Sequence, residues 1–387
     1  MDTRITQLAE ILVDHSVAVE LGDRILICAS DLSSSELVRE CYRLCLERGA
    51  SIEIDVTGIL AHVGRSDAGG FLRTFLQHSN TSQRTKIPEI AHAKVAWATK
   101  SIRIVSLQDP NFLSDLDPDL LTKWHHTCSP IMENLTAKDW VLTKFPTEYY
   151  ARDAGMAFGD YTDFYYNACI VDYRKQGECI APLQKILDEG RRLRIIGPGT
   201  DITLGIDGRL AAGCPSGKHN IPDGECFLGP EETVTDGVAT FENIQSYDGN
   251  TVEGVRLVFK QGAIVEATAE RGEKFLHSLL DDHPDNRRLG EVGIGMNENI
   301  TRYSCNTLFD EKIAGTIHMA LGRAYKYDRG GGRNGGTIHW DLVKDLRAPG
   351  TKVLVDDQVI LKDGKVVLDL PATAIVLPTQ KSFVHAG

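Results

Sequence analysis

Within the first 57 residues, the sequence predicts a strand, a helix and a second strand that follow one another closely. The strand 24-RILICA-29 is followed by 33-SSSELVRECYRLCLERGA-50, which begins with serine capping residues and ends near Gly49, and then by the strand 52-IEIDVT-57. Because the return to the second strand is short, this order predicts a right-handed parallel βαβ unit. We therefore expect an α/β protein whose N-terminal part is a doubly wound, mostly parallel sheet.

The rest of the first half continues the alternation of helix and strand. Apolar residues at helical spacing predict a helix over 3–19. Further strands are predicted at 94–99, 102–107 and 140–145, and helices over 117–136 (interrupted near Pro130) and 160–190.

From about residue 191 the sequence reads as an antiparallel sheet. Residues 192–209 form two apolar runs around a Pro-Gly turn, which indicates a hairpin. Strands are predicted at 237–242, 252–259 and 262–267, a helix over 269–281 and a closing hairpin over 351–369. We therefore divide the chain into an N-terminal α/β domain, 1–190, and a C-terminal catalytic metal-binding domain, 191–387, of mixed, largely antiparallel α+β structure.

Composition excludes several classes of protein. The 387 residues carry a net charge of −12, which argues against a nucleic-acid partner. No apolar run approaches the roughly 20 residues of a membrane helix, and the N-terminus has no signal-peptide pattern. The nine cysteines are scattered without a CxxC pair, which indicates reduced thiols and a cytoplasmic location. A metal site would therefore be built from His, Asp and Glu.

The segment 337-TIHWDLVKDLR-347 offers the first candidate ligands. Successive strand residues face opposite sides, so His339 and Asp341 share one face while Ile338 and Trp340 take the other. An imidazole and a carboxylate that point to one place suit a divalent metal ion. The alternative is a hydrogen-bonded His–Asp pair at a strand end.

Three further polar residues stand in glycine-flanked or apolar surroundings. Glu225 follows a Pro-Asp-Gly turn, whereas Glu291 and His318 lie in apolar runs, where a buried polar group needs a partner. Each has a structural alternative: Glu225 could cap the turn, Glu291 could pair with Arg287 or Arg288, and His318 could be a core histidine.

A charge count is consistent with a dinuclear centre. Glu225, Glu291 and Asp341 carry three negative charges, two divalent cations carry four positive ones, and one bridging hydroxide restores neutrality. Paired ions of this kind make a nucleophile from water and polarise the substrate oxygen.

Four segments together resemble the aminopeptidase T/aminopeptidase S family of metallopeptidases, also called thermophilic metallopeptidases. They are 218-KHNIPDGECFLGP-230, 286-NRRLGEVGIGMN-297, 307-TLFDEKIAGTIHMALGRAY-325 and 337-TIHWDLVKDLR-347, in the order of the family. The resemblance covers most of 140–365. It implies an α/β N-terminal domain, a C-terminal domain that holds two divalent ions (Zn, Co, Mn or Mg), and a homodimer that encloses the active sites.

The resemblance also assigns residues to roles. The positions that match the metal ligands of the family are Glu225, Glu291, His318, His339 and Asp341. Tyr325 matches a tyrosine beside the metals that could hydrogen-bond the developing oxyanion, with a surface tyrosine as the alternative. Glu311 matches a further ligand or a proton shuttle, with an ion pair to Lys312 or an arginine as the alternative.

The implied activity is that of an aminopeptidase. A hydroxide held by both ions would attack the first carbonyl of a peptide or small amide, and no nucleic acid or membrane would take part. Distant relatives of the family include iron dioxygenases that open dihydroxypyridine rings with a two-His, one-carboxylate site. A mononuclear dioxygenase, or an amidase for a small aromatic compound, is therefore the alternative, and a non-enzymatic module is the third possibility.

Overall fold

The structure is a computed structural model that describes residues 2–56, 71–106, 108, 113, 116–247 and 250–368. Residues 57, 107 and 369, each the last residue of an element predicted above, lie outside this part of the chain. No helix in the described residues is both long enough and apolar enough to cross a bilayer.

Strands and helices alternate in the first half, and strands dominate the second. The strands are β1 (Arg24–Ala29), β2 (Ser51–Val56), β3 (Lys100–Val105), β4 (Asp139–Lys144), β5 (Arg192–Gly197), β6 (Thr200–Gly205), β7 (Asn220–Ile221), β8 (Glu225–Leu228), β9 (Thr235–Phe241), β10 (Gln245–Tyr247), β11 (Asn250–Val252), β12 (Val255–Lys260), β13 (Ala263–Thr268), β14 (Leu289–Gly295), β15 (Thr316–Gly322), β16 (His339–Asp345), β17 (Lys352–Val355), β18 (Gln358–Lys362) and β19 (Lys365–Val366). The α-helices are Thr3–Glu10, Ser35–Glu47, Phe71–His78, Thr81–Arg84, Glu89–Trp97, Pro118–Thr136, Glu148–Asp153, Phe158–Cys169, Tyr173–Glu189, Glu273–Asp282 and Thr307–Asp310. Ile11–Ser16 is a π-helix, and Leu32–Ser34 and Pro284–Arg287 are 3₁₀-helices.

The N-terminal sheet is parallel throughout. Its order is β2-β1-β3-β4-β7, and β1 pairs in parallel with both β2 and β3. The helix Ser35–Glu47 buries Leu37, Cys41 and Leu44 in the same apolar core as Ile25 and Ile27 of β1. The predicted βαβ unit and the doubly wound α/β fold are therefore confirmed.

The second half contains two larger antiparallel sheets. One has eight strands in the order β13-β12-β9-β6-β5-β17-β18-β19, and the other has four in the order β16-β15-β14-β8. Both sheets contribute to one apolar core, which includes Leu257 and Val353 from the first and Val292 and Leu321 from the second. The expectation of a largely antiparallel second half is confirmed.

The two halves share elements across the predicted boundary at residue 190. The short strand β7, which belongs to the second half by sequence, pairs with β4 at the edge of the parallel sheet. Only 222-PDG-224 separates it from β8. Phe309 stacks on Phe164 of the N-terminal core, with ring centroids 5.7 Å apart. The division at 190 stays a prediction.

Two local predictions were wrong, and the helix predicted over 160–190 is divided into Phe158–Cys169 and Tyr173–Glu189. Residues 94–97, predicted as part of a strand, belong to the helix Glu89–Trp97, and the strand begins at Lys100. Ala91 and Val95, four residues apart, lie on one helical face and pack on Leu26 of β1, so helical spacing prevailed over local β propensity. The helix Pro118–Thr136 is also continuous through Pro130 rather than interrupted there.

Candidate metal centre

The four-stranded sheet brings the five predicted ligands to one face. On β14, Val292 and Ile294 enter the core, whereas Glu291 points the other way, as expected from strand alternation. In the same way Met319 and Trp340 enter the core next to His318 and Asp341. The predicted alternation of residues 338–341 is therefore confirmed.

Each candidate ligand lies opposite a very small residue on the neighbouring strand. The pairs are Glu225 with Gly295, Glu291 with Ala320, His318 with Gly293, His339 with Gly322 and Asp341 with Ala320. A β-carbon on Gly293 would lie 2.2 Å from Nε2 of His318, so a larger residue there would displace the imidazole. Small partners leave room above the sheet for ligand side chains and ions.

The five side chains form two groups that share Glu291. Glu225, Glu291 and His318 form one group, and Glu291, His339 and Asp341 form the other, with the ligand atoms of each group within 4.8 Å of one another. Nε2 of His318 lies 3.2 Å from a Glu291 oxygen and 3.4 Å from a Glu225 oxygen. Nε2 of His339 lies 3.6 Å from Asp341.

Backbone carbonyls fix the orientation of both histidines. Nδ1 of His318 lies 3.0 Å from the carbonyl oxygen of Glu311, and Nδ1 of His339 lies 2.6 Å from that of Arg323. Because a carbonyl only accepts, each Nδ1 donates, and Nε2 is directed at the carboxylates. This is the arrangement that orients histidine ligands in metal sites.

The donor set fits a divalent ion. Oε2 of Glu225 and Oδ1 of Asp341 are buried and lack a hydrogen-bond partner in the described structure. Burial raises the pKa of Glu225 to about 8 and that of Asp341 to about 6. Burial alone would lower the pKa of His318, but its hydrogen bond to Glu291 and the charge of Glu225 raise it to about 10. Buried carboxylates with unsatisfied oxygens are stabilised by a bound cation.

The structural alternatives for the two glutamates do not apply. Arg287 pairs with Asp281 at 2.6 Å, and Arg288 donates to the carbonyl oxygen of Glu232, so neither serves Glu291. In the turn before β8, the Asp223 carboxylate accepts from the amides of Gly217 and Gly224 at 2.6 and 2.7 Å. Asp223 therefore stabilises the turn and leaves Glu225 available.

Glu311 forms an ion pair with the fully buried Lys312, the structural alternative to a role as ligand or proton shuttle. The Lys312 ammonium also lies 3.3 Å from Oε1 of Glu225. Burial would raise the pKa of Glu311, but the charges of Lys312 and His318 outweigh it and lower that pKa. The contact between Lys312 and Glu225 could not be predicted from the sequence, because the spacing of residues 312 and 225 carries no sign of it.

Tyr325 borders the same site. Its ring centroid is 4.6 Å from that of His339, and 44% of the residue is exposed. Desolvation in the cavity and the charges of Glu291 and Asp341 raise the pKa of the phenol well above its usual range, so the hydroxyl remains a proton donor at neutral pH. The site opens into a cavity of about 690 Å³ that is lined by residues of both halves of the chain.

Comparison with known proteins agrees with the fold and with a metal-dependent hydrolase. The family model described as thermophilic metalloprotease (M29) matches residues 1–366, so the chain belongs to this family of metallopeptidase hydrolases. It is 26% identical to aminopeptidase 2 of Geobacillus stearothermophilus over 366 residues, which cover 84% of each chain. It is 38% identical to aminopeptidase T of Thermus aquaticus over 145 residues, 34% of this chain and 35% of that one.

Two solved structures share the fold. Wild-type AmpT from Thermus thermophilus superimposes with a TM-score of 0.76 at 23% identity, covering 95% of this chain and 99% of that one. The 2,5-dihydroxypyridine dioxygenase from Pseudomonas putida KT2440 superimposes with a TM-score of 0.62 at 14% identity, covering 97% and 99%. At these identities the likeness concerns the fold alone.

Proposed function

We propose that the protein is a metal-dependent aminopeptidase that removes the N-terminal residue from peptides with the help of two divalent ions, Zn, Co, Mn or Mg. The observation that carries the proposal is the pair of three-residue groups that share Glu291. Glu225, Glu291, His318, His339 and Asp341 are the proposed ligands. Together the two groups would hold two divalent ions, which in hydrolytic sites activate water and polarise the substrate.

Two divalent ions held there would supply a water nucleophile at neutral pH and polarise the carbonyl of the scissile bond. Side chains of the protein carry out the other steps. The carboxylates give the site negative charge that attracts the free α-ammonium of a peptide. The Tyr325 hydroxyl donates a hydrogen bond to the oxyanion that develops as the carbonyl is attacked. Glu311, kept ionised by Lys312, accepts a proton from the attacking water and passes it to the leaving amine.

The chemistry of the donors also bears on the dioxygenase alternative. The proposed ligand set contains three carboxylates and two histidines. A mononuclear iron site of the facial-triad type needs two histidines and one carboxylate. The carboxylate-rich set favours hard divalent ions and hydrolysis. Dioxygenase and small-amidase activities remain as outcomes of the test.

A homodimer that encloses the active sites also remains a proposal. Sedimentation velocity of the purified protein measures its mass in solution, and we expect twice the chain mass of 42.6 kDa.

The test combines metal analysis with a substrate panel. We expect the wild type to retain two divalent ions per chain and to hydrolyse aminoacyl p-nitroanilides. A chelator should abolish this activity, and one added divalent metal should restore it. Glu291→Gln, which alters both groups, should retain less than one ion and lose at least about a hundredfold in kcat/KM. Glu225→Gln, which alters one group, should retain about one ion.

Asp345→Asn is the matched control, because Asp345 lies on the same strand as Asp341 but pairs with Arg347. It should leave the metal content unchanged. One iron per chain with oxygen consumption on a dihydroxypyridine, or full peptidase activity in Glu291→Gln, would overturn the proposal.

A further inference from the structure

A row of aromatic rings leads from the candidate metal centre into the N-terminal half of the molecule. The ring of His339 lies against Tyr325, Tyr325 stacks on Tyr327, Tyr327 on His219, and His219 on Trp140. The successive centroid distances are 4.6, 5.3, 6.3 and 4.9 Å. The three stacked pairs have planes within 19° of parallel. We call these five residues the aromatic row.

The row is assembled from distant parts of the chain. Trp140 lies on β4 of the parallel sheet, His219 directly precedes β7, and His339 begins β16. Tyr325 and Tyr327 follow the end of β15. The Leu142 amide donates to the His219 carbonyl oxygen at 2.8 Å, which holds the backbone of His219 against β4, and Nδ1 of His219 lies 3.3 Å from the Trp140 carbonyl oxygen. A row that depends on both sheets is therefore held by the fold itself.

All five rings line the 690 Å³ cavity that contains the candidate ligands. Tyr325 and Tyr327 remain 44% and 41% exposed although they stand in a concave wall. Cavities of about 300–1,000 Å³ with apolar and aromatic walls and a few convergent polar groups are typical binding sites for small molecules. Exposed aromatic surface beside such polar groups is typical of a ligand-binding wall.

We propose that the aromatic row is the specificity subsite of the enzyme and that it binds an aromatic or long apolar side chain carried by the first or second residue of a short peptide. This inference rests on the aminopeptidase function proposed above. Because the row starts at a candidate metal ligand, a peptide whose amine and first carbonyl lie at the metal centre places its neighbouring side chains along it. A substrate ring can pack against the rings of the row, an arrangement that strengthens binding beyond the burial of apolar area.

The chain offers a substitution that separates this role from the chemistry. Tyr327 is stacked in the row and is neither a candidate ligand nor the proposed oxyanion donor. Tyr327→Ala removes its ring, and Tyr327→Phe keeps the ring while removing the hydroxyl. Phe158 is 41% exposed, like Tyr327, but lies at the start of a helix and does not line the cavity, so Phe158→Ala is the matched control.

The experiment measures kcat/KM of the metal-loaded full-length proteins on the dipeptides Phe-Ala, Ala-Phe and Ala-Ala. For Tyr327→Ala we expect kcat/KM on at least one Phe-containing dipeptide to fall about tenfold more than on Ala-Ala. The dipeptide that suffers the larger loss identifies the residue that the row binds. Tyr327→Phe and Phe158→Ala should keep the wild-type ratios.

Equal losses of kcat/KM on all three dipeptides in Tyr327→Ala would mean that Tyr327 only supports Tyr325. This result would overturn the inference but leave the aminopeptidase function intact. His219→Ala, which interrupts the row at a second point, should repeat the change in ratio, and unchanged ratios in both variants would likewise overturn the inference. Absence of hydrolysis of every dipeptide by the wild type would overturn the proposed function and this inference with it.

Discussion

Lys312 is a full positive charge inside the acidic centre. The residue is completely buried, and its ammonium pairs with Glu311 and lies 3.3 Å from Glu225. Burial would lower the pKa of Lys312, but the charges of Glu225 and Glu311 raise it overall, so the side chain stays cationic. Lys312 therefore neutralises part of the carboxylate charge whether or not metal ions are bound.

Replacement of this cation should destabilise the metal-free protein most. In Lys312→Met the apolar stem is largely kept, but two buried carboxylates lose their partner, and breaking such a pair costs about 3–5 kcal/mol. Bound divalent ions would offset part of this loss. We therefore expect the melting temperature of the variant to fall more in the presence of a chelator than in the presence of metal.

Lys344→Met is the control for this prediction. Lys344 is equally buried, but it pairs with Glu242 at 2.7 Å and contacts none of the candidate ligands. Its loss should lower the melting temperature equally with and without metal. The same metal-independent behaviour in Lys312→Met would contradict the role of Lys312 as a counter-charge.

At the residue scale, the sequence indicated which side chains meet but not what surrounds them. Glu291 and His318 could be predicted because a polar residue in an apolar, glycine-flanked run needs a partner. Gly293 and Ala320 could not be assigned as the residues opposite the ligands. That pairing depends on strand register, which shifts at an irregularity between Leu289 and Glu291. Nothing in the spacing marks such a shift.

At the scale of elements, β16 separates a face that carries candidate ligands from a face that packs in the core. Trp340 is 1% exposed and packs on Tyr247 and Phe275, whereas His339 and Asp341 face the candidate metal centre. The two faces have different tasks, so substitutions of adjacent residues should have different consequences.

We expect Trp340→Phe to reduce the free energy of unfolding by about 1–3 kcal/mol because the smaller ring leaves a gap in the core. Its metal content should match that of the wild type. Asp341→Asn should lose bound metal while the chelator-treated protein keeps most of its stability. Elemental analysis and denaturant unfolding of both variants, compared with chelator-treated wild type, measure the two effects. Similar metal loss in both variants would show that the two faces are not independent.

Short apolar runs predicted some elements correctly and others not. The hairpin of β5 and β6 and the strand β1 appear where the apolar runs indicated them. Residues 94–97 failed because a short apolar run fits a buried helix as well as a strand. The contacts that decide between the two, from Ala91 and Val95 to Leu26, join residues about seventy positions apart.

At the scale of the whole molecule, the reactivity of the cysteine thiols shows whether the apolar cores are intact. Cys28, Cys41, Cys45 and Cys169 are buried in N-terminal clusters, Cys128 in a further cluster and Cys226 in the C-terminal one. Burial raises the pKa of Cys28, Cys45 and Cys128 to about 12, so hardly any thiolate is present at pH 8.

Alkylation at pH 8 should therefore modify at most three cysteines in the native protein, the partly exposed Cys179, Cys214 and Cys305. All nine should react in denaturant without prior reduction, because none forms a disulfide. Intact-mass spectrometry counts the adducts. Rapid native modification of more than three cysteines would mean that a core opens, and fewer than nine adducts in denaturant would indicate an oxidised pair.

Glu225 stands four residues after Ile221, the last residue of a strand that belongs to the other sheet. A very short connection therefore joins the edge of the parallel sheet to a candidate ligand. Exchange of the N-terminal sheet for that of a relative would therefore also change the support of Glu225. It would change the support of Trp140 and His219 in the aromatic row as well. Selectivity for substrates and retention of metal should for that reason change together when the two halves are recombined, even though no ligand residue has been altered.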